Sequence, residues 1–304
     1  MKQNVLITGV GGFIASKIAL KFLNNNFNVY GIDDFSTGKV DNVPKYVTLI
    51  RGDLTEDLTY TKIPENIDYV LHLAGQSSGE ISFDNPVSDL NKNTISTIKL
   101  ISFFKDKKVK KFLYASSMSV YGNVDDYPVE EDNICEPLSC YGVGKLASEG
   151  YLKVFKNTLP YVIFRMFNVY GPGQDLENLR QGMISIYLSQ AIKNKHIIIK
   201  GSISRYRDLI YIDDVVEAWW RATIDEQIIN ETLNLATGKK TTIQEIINII
   251  QNILTDITFE VVEPTKGDQN GIYANVNKTK RLLNIKTFLP FNEGVLNFIK
   301  SINM

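Results

Sequence analysis

Apolar residues along this chain gather into short, nearly unbroken runs separated by stretches in which they recur at every third or fourth position. Asn4-Val5-Leu6-Ile7, Asn28-Val29-Tyr30-Gly31-Ile32, Val47-Thr48-Leu49-Ile50, Tyr69-Val70-Leu71-His72-Leu73, Lys111-Phe112-Leu113-Tyr114-Ala115 and Tyr161-Val162-Ile163-Phe164-Arg165 are the clearest runs. Such runs predict strands covered on both faces. Between them, Ile14 to Leu23, Leu90 to Phe104 and Lys145 to Phe155 have helical spacing. Strands alternating with helices predict an α/β fold with a doubly wound parallel sheet. After residue 168 the pattern loosens. Tyr170-Gly171-Pro172-Gly173 predicts a turn, Met183 to Ile192 a helix, and Ile197–Ile199 and Leu233–Leu235 short strands. Thr242 to Leu254 predicts an amphipathic helix opened by Thr241 or Thr242. This half reads as a smaller α+β lobe capping the sheet's C-terminal edge, with the chain crossing back at residues 208–222. Trp219-Trp220 is expected to pack the interface between the two parts, and the basic run from Lys105 to Lys111 to be a solvated loop.

The first strand runs into Thr8-Gly9-Val10-Gly11-Gly12-Phe13-Ile14-Ala15, and the second ends at Asp33. Glycine allows a tight turn and a close approach of backbone to a pyrophosphate, and the helix that follows offers free N–H groups with partial positive charge. An acid at the end of the second strand accepts both hydroxyls of an adenosine ribose and repels a 2′-phosphate. Asp33 follows Gly12 at close to the expected spacing of about 20 residues. The unit therefore predicts NAD rather than NADP as cofactor. Ala15 stands where the motif ends in a small residue and still permits close helix–sheet packing.

Composition narrows the partners. The 304 residues suffice for one large α/β domain or a major domain with a smaller lobe. A net charge of −1 argues against nucleic acid as a partner. No apolar run approaches membrane-spanning length and no N-terminal stretch resembles a signal peptide, so a cytoplasmic location is expected. The two cysteines, Cys135 and Cys140, lie in a loop-like stretch remote in sequence from both histidines. They read as reduced thiols, and no metal site is expected.

Tyr141-Gly142-Val143-Gly144-Lys145 places a phenol and an amine four residues apart, on one face of a helix. Making a tyrosine a base near neutrality requires lowering its pKa from ~10 by about three units, or about 4 kcal/mol. A neighbouring ammonium and a positively charged nicotinamide ring would supply the opposite charge. The pair lies downstream of the dinucleotide unit and of a strand ending Ser116-Ser117, which gives it weight.

In these features the chain resembles the extended short-chain dehydrogenases/reductases, within the NAD-dependent nucleotide-sugar epimerase/dehydratase family (UDP-glucose 4-epimerase-like). The matching stretches are Thr8–Ala15, Asp33-Asp34-Phe35-Ser36-Thr37-Gly38, Gly52-Asp53-Leu54, His72-Leu73-Ala74-Gly75-Gln76, Asn93, and Ser116-Ser117-Met118-Ser119-Val120-Tyr121-Gly122. They continue through Tyr141 and Lys145, Arg165–Pro172, Arg207–Asp214 and Gly267-Asp268. The resemblance implies a Rossmann domain over residues 1–168 with a return segment at 208–235, and a mainly substrate-binding lobe over 169–304. It implies that Tyr141 is the general base and acid on a sugar hydroxyl. Lys145 would lower its pKa and hold the nicotinamide ribose, and Ser117 would hydrogen-bond the same sugar oxygen. Cofactor contacts would come from Gly9, Gly11, Gly12, Phe13, Ile14, Asp33, Asp34, Ser36, Thr37, Gly38, Asp53, Leu54, Leu73, Ala74 and Gly75, with Tyr141 and Lys145. Gln76, Ser117, Asn168, Arg207, Lys266 and Asp268 would meet a nucleotide-diphosphate sugar. The helices at 90–104 and 145–157 would form a homodimer surface. His72, at a strand end, reads as structural.

The chemistry so implied begins with Tyr141 taking a hydroxyl proton while hydride passes to NAD, leaving a 4-keto-sugar and bound NADH. An epimerase returns the hydride to the other face. A 4,6-dehydratase also eliminates water, commonly with an Asp-Glu pair after the serine or threonine; here those positions are Met118 and Ser119. The sequence therefore favours a 4-epimerase, with a dehydrogenase/reductase or dehydratase as enzymatic alternatives and a dinucleotide-sensing regulator as the non-catalytic one. Two departures fall in the substrate lobe. Thr265-Lys266-Gly267-Asp268 lacks the arginine that many relatives place on the diphosphate, and Lys266 is a point charge rather than a fork. Tyr273-Ala274-Asn275 stands where relatives carry Tyr-Ala-Asp.

Overall fold

The computed structural model of the protein describes residues 2–264 and 270–302. Each apolar run of the first half is a strand: β1 (Asn4–Thr8), β2 (Asn28–Asp33), β3 (Thr48–Arg51), β4 (Tyr69–His72), β5 (Lys111–Ser117) and β6 (Tyr161–Met166). With Glu231–Leu235 they make a seven-stranded parallel sheet, which from that last strand runs β6, β5, β4, β1, β2, β3.

Alternation along the strands sorts the core into two layers. Val5, Ile7, Leu71, Leu113 and Phe164 face Ile18 and Phe22 of the Phe13–Asn24 helix and Val215 and Trp219 of the Ile212–Ile224 helix. Leu6, Val70, Phe112, Tyr114 and Ile163 face the other way, onto Leu100 and Phe104 of the Ser96–Phe104 helix and Leu152 of the Cys140–Val154 helix. Both faces are covered, which is why the strands read as continuous apolar runs.

Three expectations change. Trp219 and Trp220 do not pack between lobes. Trp219 is fully buried against Phe164, and Trp220 lies edge-on to Phe22 and Phe27, so both seal the main sheet's outer layer. Lys111 is not part of a solvated run. It is buried, and its Nζ donates to the carbonyls of Ala222 and Asp225, both at 2.6 Å, closing the C-terminal end of the Ile212–Ile224 helix. The helix expected from Leu90 starts earlier, at Pro86 behind the Asn85 cap, and passes through a wide turn at Asn91–Ile95 before Ser96–Phe104.

The remaining chain builds a second core around Tyr187, Leu188, Ile197, Ile246 and Ile250. Its strands are short: Asn168–Tyr170 pairs with Leu209–Tyr211, His196–Lys200 with Thr258–Val262, and Tyr206–Arg207 lies between Thr241–Thr242 and Gly271–Ile272. Thr242, not Thr241, caps the Ile243–Ile253 helix, in a reciprocal box with Glu245.

Candidate active site

At the C-terminal ends of β1, β2 and β4 the chain opens a groove. Gly9 has φ +72, and a Cβ there would stand 2.9 Å from the backbone of Ala74, so only glycine lets β1 turn this close to β4. The Phe13–Asn24 helix then begins at Gly12 with no side-chain cap and no acid in its first turn. That leaves an electropositive helix end facing the groove, suited to a pyrophosphate.

Asp33 closes β2 beneath it. Its two carboxylate oxygens accept the backbone N–H groups of Gly11 (2.8 Å) and Phe35 (2.7 Å), while burial raises its pKa against those bonds. Gly11 thus supports Asp33 from behind and does not line the groove. The other expected cofactor residues do: Gly9, Gly12, Phe13, Ile14, Asp33, Asp34, Ser36, Thr37, Gly38, Asp53, Leu54, Leu73, Ala74, Gly75, Tyr141 and Lys145. Glycine where backbone must approach, a bare helix end and an acid at the ribose position fit a dinucleotide.

Sequence reasoning missed Lys92. It reaches across from the wide turn, donating to Ser36 Oγ at 2.7 Å and standing 3.6 Å from the Asp34 carboxylate. Burial works against the charge on Asp34, but its bonds to Ser36 and the Lys92 ammonium outweigh it and lower the pKa. Nothing in the periodicity marks Lys92, because only the wide turn aims it at this wall.

Ser139 caps the Cys140–Val154 helix by accepting from Gly142 N at 3.1 Å, which puts Tyr141 in its first turn and Lys145 one turn on. Both are buried at the inner end of the groove. Lys145 Nζ donates to Ala115 O at 3.0 Å and lies 5.6 Å from the centre of the Tyr141 ring. Ser117, at the end of β5, hydrogen-bonds Tyr141 and accepts from Ser119 N at 3.2 Å. The sequence led to an expectation of a tyrosine drawn toward neutrality. In the protein frame burial instead pushes Tyr141 up to about 12, with Ser117 opposing and Asp89 reinforcing the rise. Burial likewise pulls Lys145 down to about 8, with Asp89 opposing.

A second cavity, of about 550 Å³, adjoins the first; Ser77 and Gln181 line both, and Gln181 Nε2 donates to Ser77 Oγ at 2.6 Å across the junction. Met118, Ser119, Asn168 and Arg207 stand on its walls with Arg180, Lys200 and Arg205. Asn168 donates to Asp208 O at 3.2 Å, and Arg207 to Tyr206 O at 2.8 Å. Burial, then Arg205, bring the Arg207 guanidinium down to about 10. Gln76 lines the cofactor groove rather than this cavity, its amide donating to Ser78 O at 2.7 Å and Asp89 Oδ1 at 3.0 Å. Lys266 and Asp268 lie outside the described residues. His72 is a staple: its ring nitrogens bond Thr8 (2.7 Å) and Thr97 (2.9 Å), and burial takes it down to about 3.

This pairing of a dinucleotide groove with a Ser-Tyr-Lys cluster agrees with the sequence profile of the NAD dependent epimerase/dehydratase family, which matches residues 5–236. The chain belongs to that family. It is 32% identical over 253 residues to a UDP-glucose 4-epimerase of Mycolicibacterium smegmatis, a match covering 80% of each chain. It superimposes with a TM-score of 0.95 and 30% identity on the UDP-glucose 4-epimerase of Thermotoga maritima in complex with UDP-glucose, covering 99% of both chains. With the UDP-glucuronic acid 4-epimerase of Bacillus cereus, in complex with UDP-glucuronic acid and NAD, the TM-score is 0.91 and the identity 29%, again over 99% of both. As in the rest of the family, NAD is the cofactor.

Proposed function

We propose that this protein interconverts UDP-sugars differing in configuration at C4, through a transient 4-keto-sugar. The observation that carries this reading is the placement of Tyr141 and Lys145 at the inner end of the NAD groove, with Ser117 bonded to Tyr141 from behind the wall and the second cavity adjoining. NAD, when bound, supplies the acceptor for the C4 hydrogen and a positively charged ring beside the phenol. Tyr141 takes the proton of the sugar 4-hydroxyl and later returns it. Ser117 holds the same oxygen. Lys145, anchored to Ala115 O, keeps positive charge beside the tyrosine and meets the nicotinamide ribose. Because burial holds Tyr141 protonated at rest, its action as a base is confined to the loaded site.

Met118 and Ser119 offer no carboxyl group for eliminating water, which favours epimerase over 4,6-dehydratase. The relatives' substrates support UDP-sugars, with Asn168 and Arg207 meeting the diphosphate from the second cavity; the substrate roles of Gln76, Lys266 and Asp268 rest on the sequence. We infer the same division of labour as from sequence, residues 1–168 with 208–235 for NAD and 169–304 mainly for substrate. A homodimer is inferred from Val87, Leu90, Val143 and Val154, which are 67%, 47%, 54% and 73% exposed on helices that pack side by side. A cytoplasmic location remains a proposal; among the described residues no helix is long and apolar enough to cross a membrane.

The test is incubation of purified protein with UDP-glucose, UDP-glucuronic acid and their N-acetylated counterparts, without added reductant. NMR of the sugar ring and absorbance at the NADH band are followed. A C4 epimer at constant NADH establishes the reading. A keto-sugar that has lost water, or NADH formed in proportion to product, overturns it.

A further inference from the structure

Asp89 sits on the short Pro86–Leu90 helix and is only 2% exposed. Its Oδ1 accepts from Gln76 Nε2 and Asn93 Nδ2, both at 3.0 Å, whereas the buried Oδ2 has no hydrogen-bond partner. Asn93 Oδ1, one turn on, is likewise buried without a partner. Buried acceptors left open are rare, and two side by side ask for a positive or donating group between them.

Two glycines clear the space around them. A Cβ at Gly144 would stand 3.8 Å from Asp89 Oδ2, and Gly144 directly precedes Lys145 in the helix. On the other side Gly75, at φ +147, would carry its Cβ into Asn93 Oδ1 and to 3.6 Å from Lys145 Nζ. The carboxylate and the carboxamide therefore lie around the two glycines that flank the ammonium, at the groove wall that Gly75 and Lys145 share. An ammonium has three donors, of which one goes to Ala115 O.

We propose that Asp89 is the internal counter-ion of Lys145, a positioning residue that keeps the lysine charged and thereby sets the pH range over which Tyr141 exchanges its proton with a sugar hydroxyl. The catalytic part of this proposal rests on the reading of the site as an epimerase; the charge interaction between Asp89 and Lys145 does not.

The charges are consistent with it. Asp89 opposes the burial that draws Lys145 down, and Lys145 opposes the burial that draws Asp89 up. The other titratable groups facing Lys145 are Tyr141 on its own helix, Tyr114 of β5, whose ring centre is 5.0 Å from Nζ, and His72 of β4. Burial keeps Tyr114 protonated and His72 neutral, so Asp89 is the source of negative charge among them.

The decisive experiment is NMR titration of Lys145 in protein carrying ¹³Cε-lysine, comparing wild type with Asp89→Asn, assigned through Lys145→Met. Asparagine retains an acceptor for Gln76 and Asn93 but removes the charge. The Lys145 midpoint should fall by about one unit or more, a tenfold drop in the ratio of ammonium to amine at a fixed pH. The alkaline limb of kcat/KM for C4 epimerisation should move down with it. A Lys145 midpoint unchanged in Asp89→Asn overturns the proposal, as does an activity loss equal at every pH. If Asp89→Asn does not fold, the reciprocal measurement decides: the Asp89 carboxyl midpoint must rise in Lys145→Met, and an unmoved one overturns the pair. Should no UDP-sugar be epimerised by wild type, the functional reading fails while the titrations still judge the ion pair.

Discussion

Arg165 grips Glu149 with two parallel bonds, Nε to Oε1 at 3.0 Å and Nη2 to Oε2 at 2.8 Å, and both side chains are buried. Ser116 Oγ donates to the same carboxylate at 2.5 Å. One carboxylate thus ties the ends of β5 and β6 to the helix that carries Tyr141 two turns and Lys145 one turn earlier.

Glu149→Gln leaves the Arg165 charge buried with a neutral partner, and loss of one partner from such a pair costs about 3–5 kcal/mol. Urea unfolding monitored by tryptophan fluorescence should show that loss. A Glu149→Met/Arg165→Met double variant should recover much of it, since apolar replacement of a whole buried pair is often neutral. Equal stability of wild type and Glu149→Gln would mean that the clamp contributes nothing.

Tyr141→Phe removes the hydroxyl proposed to carry the proton while leaving the ring in place. Turnover of a UDP-sugar should fall by about 10²–10⁴-fold, the usual contribution of a positioned acid–base group, with NAD retained. Ser117→Ala should lower turnover less, because Tyr141 keeps its proton-transfer role without that bond. Turnover close to wild type in Tyr141→Phe would remove the residue from the mechanism.

How much of this was legible in the sequence follows from where the information lies. Strands buried on two faces announce themselves in unbroken runs such as Tyr161–Phe164, and the Gly9–Gly12 turn with Asp33 is contiguous chemistry. Tyr141 and Lys145 could be paired by helical spacing alone. Asp89 and Lys92 could not be given a role, because their importance arises from a wide turn at Asn91–Ile95 that no local periodicity encodes. Lys111 is not legible for a similar reason: a basic run looks solvated until a distant helix brings its C-terminal carbonyls to one member of it. The tyrosine's raised pKa is not legible either, since burial dominates it, Ser117 opposes and the Asp89 carboxylate, brought close only by the fold, reinforces it.

Lys111 gives a pH dependence of stability with a definite sign. Burial pulls it from 10.5 down to about 8, so between those values the unfolded chain binds more protons than the folded one. Stability from this group therefore rises with pH across that window, by at most about 1.4 kcal/mol per pH unit. Wild type should gain on Lys111→Met as pH is raised from 8 to 10 in parallel urea titrations. A constant difference would show that Lys111 titrates normally.

Val143 and Val87 project apolar surface from neighbouring helices, and in the proposed homodimer a charge placed there would be buried against apolar surface. Val143→Glu should halve the mass found by sedimentation velocity while leaving the monomer folded. A monomeric wild type would dispose of the inferred dimer.

Two glycine-to-alanine changes separate backbone strain from helix propensity. At Gly9 an alanine must adopt φ +72, at a cost of about 1–2 kcal/mol, and its methyl meets the Ala74 backbone at 2.9 Å. The turn proposed to face the pyrophosphate has to move, so Gly9→Ala should weaken NAD binding by at least about tenfold, the equivalent of a 1.4 kcal/mol penalty, besides lowering stability. At Gly150, inside the Cys140–Val154 helix, an added Cβ meets nothing within 4 Å. There alanine should stabilise the monomer by about 0.5–1 kcal/mol through helix propensity, with NAD affinity unchanged. Calorimetric NAD titrations and thermal melts of the two variants check both signs, and undiminished NAD affinity in Gly9→Ala would place the pyrophosphate away from this turn.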